Sequence, residues 1–160
     1  MTLMLLLVAA CTPRAVRLEG FSTVQPGLIT GGQPDAPALR RFAGEGGTLV
    51  IDLRTAGEQR GYDEAEAARG LGLGYANLPI AGAADLTRAN AARLRELLAD
   101  ATGPVLLHCA SGNRVGALLA IEAVDAGRLD AQEALELGRR AGLTTLEPVV
   151  RERLDVGAGH

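Results

Sequence analysis

Tryptophan is absent from the 160 residues, and the aromatic side chains amount to two Phe and two Tyr. Stacking platforms for bases or sugars are therefore hard to build, and the core has to be aliphatic. Runs of like charge are also missing. The net charge of −3 comes from interspersed acidic residues and arginines, which leaves no polybasic footprint for nucleic acid. Cysteine occurs only twice, at Cys11 and Cys109, too few for a disulfide framework. No internal repeat or low-complexity tract is present beyond a general richness in Ala and Gly.

What remains, 48 % hydrophobic and 22 % charged, fits one globular domain with a sizeable core. Leu3 to Ala10 form an apolar run too short to span a bilayer as a helix, ending in small residues before Cys11. Val8-Ala9-Ala10-Cys11 resembles a bacterial lipobox, which implies a lipidated Cys11, a membrane anchor and a location in the cell envelope as a periplasmic lipoprotein. A plain secretory signal, an ordinary buried segment and a Cys11 to Cys109 disulfide are the alternatives. The expected organisation is a signal segment over 1–11, a tether and edge segment over 12–27, and a folded domain over 28–155.

Short β-favouring runs occur at Leu28 to Thr30, Thr48 to Leu53, Tyr75 to Ile80 and Val105 to His108, and helical patterns separate them. A further edge strand is expected between Thr12 and Phe21. Asp35 or its neighbours start one helix, Asp63 to Leu71 make another, Thr87 can cap a third, Asp130 with Glu133 reads as a capping-box variant, and Glu147-Pro148 suits the first turn of a last helix. This alternation predicts an α/β fold with a central, largely parallel sheet flanked by helices.

The chemistry concentrates in Val105-Leu106-Leu107-His108-Cys109-Ala110-Ser111-Gly112-Asn113-Arg114-Val115-Gly116, an apolar strand that runs through a short loop into an apolar helix. Cys109 falls at the strand's carboxyl end and the helix's amino end. Loose N–H groups and the positive helix terminus stabilise anions there, so one feature serves both a nucleophilic thiolate and a bound oxyanion. Gly112 lets the loop curl so that the N–H groups of Ala110, Ser111, Gly112 and Asn113 can point inward. Arg114 offers a planar fork to two oxygens of a tetrahedral anion. His108 orients the loop or favours the thiolate; a satisfied buried histidine is the alternative. For Cys109 the alternative is a small buried hydrophobe.

These residues resemble the signature loop of the protein tyrosine phosphatase superfamily. With Leu28-Ile29-Thr30-Gly31-Gly32-Gln33-Pro34, Val50-Ile51-Asp52-Leu53-Arg54 followed by Glu58, and Tyr75-Ala76-Asn77-Leu78-Pro79-Ile80, the chain is similar to the bacterial phosphatase-like family named after domains fused to β-lactamase-like hydrolases. The resemblance implies the phosphatase-like fold and hydrolysis of phosphomonoesters, phosphotyrosine among them, on a small-molecule or protein substrate. It implies no metal or organic cofactor. It also points to the loop after Pro79 for a general acid, where Asp85 is the one carboxylate before Thr87. A helix-start residue favouring the dipole is the other account of Asp85. Asp52 and Arg54 suit the pocket rim or an ion pair and stay outside the catalytic set.

Two departures bear on the chemistry. Four residues separate Cys109 from Arg114 where tyrosine phosphatases have five, the length found in rhodanese-type sulfurtransferases that carry a persulfide on Cys. Val115 stands where phosphatases carry a hydroxyl that assists the departing thiolate. Sulfur transfer through a Cys109 persulfide and a non-catalytic anion-binding module are therefore the competing readings.

Overall fold

Val105 to His108 carry four side chains with no polar alternation until His108, the pattern of a strand covered on both faces. The computed structural model, which describes residues 16–58 and 61–154, places this strand in the middle of a five-stranded sheet. The elements run β1 (Ser22–Gln25), β2 (Leu28–Gly31), α1 (Ala36–Gly44), β3 (Leu49–Asp52), α2 (Glu64–Gly70), β4 (Gly74–Asn77), a 3-10 turn (Ala83–Asp85), α3 (Arg88–Ala99), β5 (Val105–His108), α4 (Asn113–Asp125), α5 (Ala131–Arg140) and α6 (Glu147–Arg153). The strand order is β1-β2-β5-β3-β4. Only β1 is antiparallel to its neighbour, and the other pairings are parallel.

The two faces are covered differently. Ile51, Val105 and Leu107 enter the larger core with Leu94 of α3, Leu118 of α4 and Leu135 of α5. Their neighbours Val50 and Leu106 point the other way, against Leu39 and Phe42 of α1 and Ala68 of α2. The period-2 alternation of the strands thus splits one apolar run between two cores. Helix α4 is buried from Arg114 through Ala123 and packs against both α3 and α5. It approaches α5 through glycine: a Cβ on Gly116 would lie 2.3 Å from the Gly138 carbonyl oxygen.

The helix caps form as the side chains dictate. Asp35, Asp63 and Thr87 accept from the backbone N–H groups of Ala38, Glu66 and Asn90, and Asp130 with Glu133 makes the full capping box. The edge strand falls later than expected, at Ser22–Gln25. Val16 and Leu18 are instead buried against the Phe42 side of the sheet, an apolar contact that outweighs strand pairing there. β4 stops at Asn77, two residues before Pro79, which has no N–H to give a ladder. Cys11 and the apolar run before it lie outside the described residues. Among the described residues no helix is long and apolar enough to cross a membrane.

Candidate active site

Gly31, His108, Asp52 and Asn77 share one rung at the carboxyl end of the parallel strands. Ligand sites of open α/β sheets form at this end. One residue past the rung, Cys109 turns to the α4 face and is fully buried. Its Sγ accepts a hydrogen bond from the Gly112 N–H at 3.1 Å. Gly112 is the N-cap residue of α4, with φ 93°, a left-handed conformation that favours glycine, and no side chain caps that helix. The first N–H groups of α4 therefore lack an intrahelical acceptor on the side where the sulfur sits.

The loop is braced from two sides. The Gly31-Gly32-Gln33 turn runs beside it: the Cys109 N–H donates to the Gly31 carbonyl at 3.3 Å and the Gln33 N–H to the Ala110 carbonyl at 3.4 Å. Gly32 bridges to Ser111, and a Cβ on Gly32 would come within 2.9 Å of the Ala110 oxygen, so this close approach requires glycine. On the other side the Asn113 carboxamide accepts from the N–H groups of Thr144 and Leu146 and donates to the Thr145 hydroxyl. Asn113 thus offers an anion its backbone only. Ala110 and Ser111 are exposed and form the rim.

Arg114 reaches over the same end of the sheet. Its Nη1 donates to Glu58 Oε1 at 2.7 Å and to the Ile80 carbonyl at 2.8 Å, and its Nη2 donates to Glu58 Oε2 at 2.6 Å. A guanidinium has five N–H groups; three make these bonds, and a side-chain hydrogen bond to Cys109 engages Arg114 further. Hydrogen bonding to Glu58 raises the Arg114 pKa, and the neighbouring Cys109 adds to the effect. The same Arg114 hydrogen bond draws Glu58 down to about 2, against the smaller opposing effect of burial.

Asp85 ends the 3-10 turn, half-buried, and its Oδ2 accepts from the Ala81 N–H at 2.7 Å. That N–H belongs to the same peptide unit as the Ile80 carbonyl that Arg114 grips. One peptide group therefore links Asp85 to Arg114. Asn90 and Arg153 hold the turn through the carbonyls of Asp85 and Ala83.

His108 points to the opposite face, together with Asp52. Its Nδ1 lies 3.3 Å from the Cys109 carbonyl oxygen, and its Nε2 lies 2.8 Å from Glu64 Oε1 without the alignment of a hydrogen bond. Asp52, Arg54 and Glu64 complete a cluster in which no side chain is more than 1 % exposed. Burial pushes the Asp52 carboxyl up, but Arg54, His108 and the Tyr75 hydroxyl together bring it to about 2. Asp52, Glu64 and His108 bring metal-ligating atoms within 4.8 Å of one another. The Arg54 guanidinium already bonds both carboxylates, so the positive charge they need is supplied by the chain itself.

Residues 20–126 match the beta-lactamase hydrolase-like protein, phosphatase-like domain. The chain belongs to this family. A beta-lactamase hydrolase-like protein of Xylella fastidiosa is 37 % identical over 119 residues, which cover 72 % of this chain and 27 % of that protein. The chain thus spans about a quarter of the length of the curated relatives it matches. Among solved structures, a candidate phosphatase from Neisseria meningitidis superposes with a TM-score of 0.71 at 24 % identity, covering 84 % of this chain and 96 % of that one. P. aeruginosa TpbA, solved in complex with pTyr, gives 0.62 at 20 % identity, covering 84 % and 82 %. These likenesses establish the phosphatase-like fold.

In this phosphatase-like domain the sequence-predicted Cys109, Gly112 and Arg114 meet at one helix terminus, with Asp85 one peptide unit away from Arg114. Glu58 and Glu64 were not singled out as site residues. The signal for Glu58 was the Leu53-Arg54 pair followed by a carboxylate at the exit of a strand. Glu64 sits beside the cap Asp63 and reads as an ordinary acidic first-turn residue.

Proposed function

We propose that the domain is a cysteine-dependent phosphomonoester hydrolase. The observation that carries this reading is the pairing of Cys109 Sγ with the Gly112 N–H at an uncapped helix terminus, beside the Arg114 guanidinium that Glu58 and the Ile80 carbonyl hold in place. In the first step the Cys109 thiolate attacks phosphorus, the phosphorus–oxygen bond to the leaving group breaks, and Asp85 delivers a proton to the departing oxygen. Arg114 and the N–H groups from Ala110 to Arg114 hold the phosphoryl oxygens throughout. In the second step water loses a proton to Asp85 and attacks phosphorus, the sulfur–phosphorus bond breaks, and inorganic phosphate leaves with the thiolate restored. His108 acts by orienting the loop.

Phosphotyrosine and other aryl phosphates are the substrates this site suits best, because their leaving groups ask least of the acid. Turnover of an aryl phosphate that is abolished by Cys109→Ser supports the assignment, and turnover that survives the substitution removes it. A second reading has its own observation. The loop holds only four residues between Cys109 and Arg114, and Val115 is buried in the core without a hydroxyl. Sulfur transfer through a Cys109 persulfide needs neither a general acid nor that hydroxyl. Thiosulfate-to-cyanide transfer without aryl phosphate turnover selects it.

The envelope location belongs to the same proposal. Mass spectrometry of protein extracted from the envelope is expected to show diacylglycerol-modified Cys11 as the first residue, and an intact Met1 contradicts it.

A further inference from the structure

Asp52 ends β3 and Glu64 begins α2, so the two residues flank the segment that carries Glu58. Arg54 binds both. Its backbone N–H and its Nε donate to Asp52 Oδ1 at 2.8 and 3.0 Å, and its Nη2 donates to Asp52 Oδ2 and to Glu64 Oε2. Tyr75 fixes Asp52 Oδ2 from β4 at 2.8 Å, and Asn77 binds the Arg54 carbonyl at 2.9 Å. The residue after Arg54 then orients Glu58: the Thr55 N–H and hydroxyl donate to Glu58 Oε1 at 2.8 and 3.2 Å, and the Glu58 N–H returns to the Thr55 carbonyl. Glu58 in turn grips Arg114 with both oxygens.

We propose that Arg54 is a positioning residue for the anion clamp: bound to Asp52 and Glu64, it fixes the strand exit from which Thr55 presents Glu58 to Arg114. The inference rests on the reading that Arg114 receives the phosphoryl oxygens. A fully buried ion triad is a weak stabilising device, because desolvation offsets most of its Coulombic gain. What the triad supplies is a fixed arrangement, since a planar guanidinium bonded to two carboxylates has little freedom to turn. Glu64 Oε1 also lies 2.8 Å from Nε2 of His108, the residue before Cys109.

A double-mutant cycle on the full chain tests this. Arg54→Lys keeps the charge but cannot form the fork. With an aryl phosphate as substrate and inorganic phosphate as inhibitor, Arg54→Lys is expected to raise KM and the phosphate inhibition constant by about tenfold while kcat changes much less. In a Glu58→Gln background, where the grip on Arg114 is already loosened, the same substitution is expected to change either constant by less than about twofold. Equal effects in both backgrounds, or no effect in the first, overturn the proposal. Circular dichroism checks that each variant folds. If Arg54→Lys does not, Glu64→Gln runs the same cycle with the shape of the side chain kept. A parent protein that neither turns over aryl phosphate nor responds to inorganic phosphate removes the role of Arg114 and this one with it. Additivity in an active parent removes only the role of Arg54.

Discussion

Asp85 accepts from the Ala81 N–H and Arg114 donates to the Ile80 carbonyl, so one planar peptide unit stands between the two side chains. If Asp85 protonates the leaving oxygen, Asp85→Asn should slow alkyl phosphates by about 100-fold or more, and activated aryl phosphates much less, because only poor leaving groups need the proton in the transition state. Comparing kcat/KM across leaving groups of graded acidity checks this, and an equal loss for all of them removes Asp85 as the acid. Cys109, Gly112 and Arg114 were legible at this scale because they lie within six consecutive residues and a helix terminus brings them together without help from the rest of the fold. Glu58 was not, since it meets Arg114 across 56 residues of chain and no local pattern encodes that pairing.

At the scale of elements, α4 and α5 approach each other through glycine. A Cβ on Gly116 would lie 2.3 Å from the Gly138 carbonyl oxygen and 2.4 Å from the Leu143 nitrogen, backbone atoms that have no free rotamer to yield. Gly116→Ala should therefore destabilise the domain by about 1–3 kcal/mol in urea unfolding, as overpacking does. Gly44→Ala, at the end of α1 with open space around its Cα, should be neutral or stabilise by up to about 1 kcal/mol. A Gly116→Ala protein as stable as its parent would mean that the contact is not tight. The helix starts could be read from sequence because an N-cap bonds to a backbone N–H three residues on, a wholly local event. The place of β1 could not, since the fate of Val16 and Leu18 depends on Phe42 of α1, a distant partner.

Across the whole molecule, buried charge links the sheet, α2 and the active loop, and this makes stability depend on pH in a defined direction. Asp52 and Glu58 titrate at about 2 in the folded chain, against ordinary values of 3.8 and 4.5. The unfolded chain therefore takes up protons first on acidification. The stability these groups contribute is complete above about pH 4.5 and is lost as pH falls towards about 2. Urea midpoints measured over that window should drop steadily, and Glu58→Gln should flatten part of the slope; an unchanged slope contradicts the pairing with Arg114. Arg54→Met, which strands the Asp52 and Glu64 carboxylates in the interior, should cost about 3–5 kcal/mol at neutral pH in the same assay. The central strands of the parallel sheet were legible in the sequence as apolar runs, and the Asp52–Arg54 pair as one reading of two nearby charges, whereas its extension to Glu64 and His108 was not, because these converge only when β3, α2 and β5 assemble. The most direct test of the account is to quench the Asp85→Asn protein during turnover of an activated aryl phosphate and examine the peptide containing Cys109 by mass spectrometry. A phosphoryl group on Cys109, absent from Cys109→Ser, is the predicted result; turnover with Cys109 unmodified at every time point would contradict it.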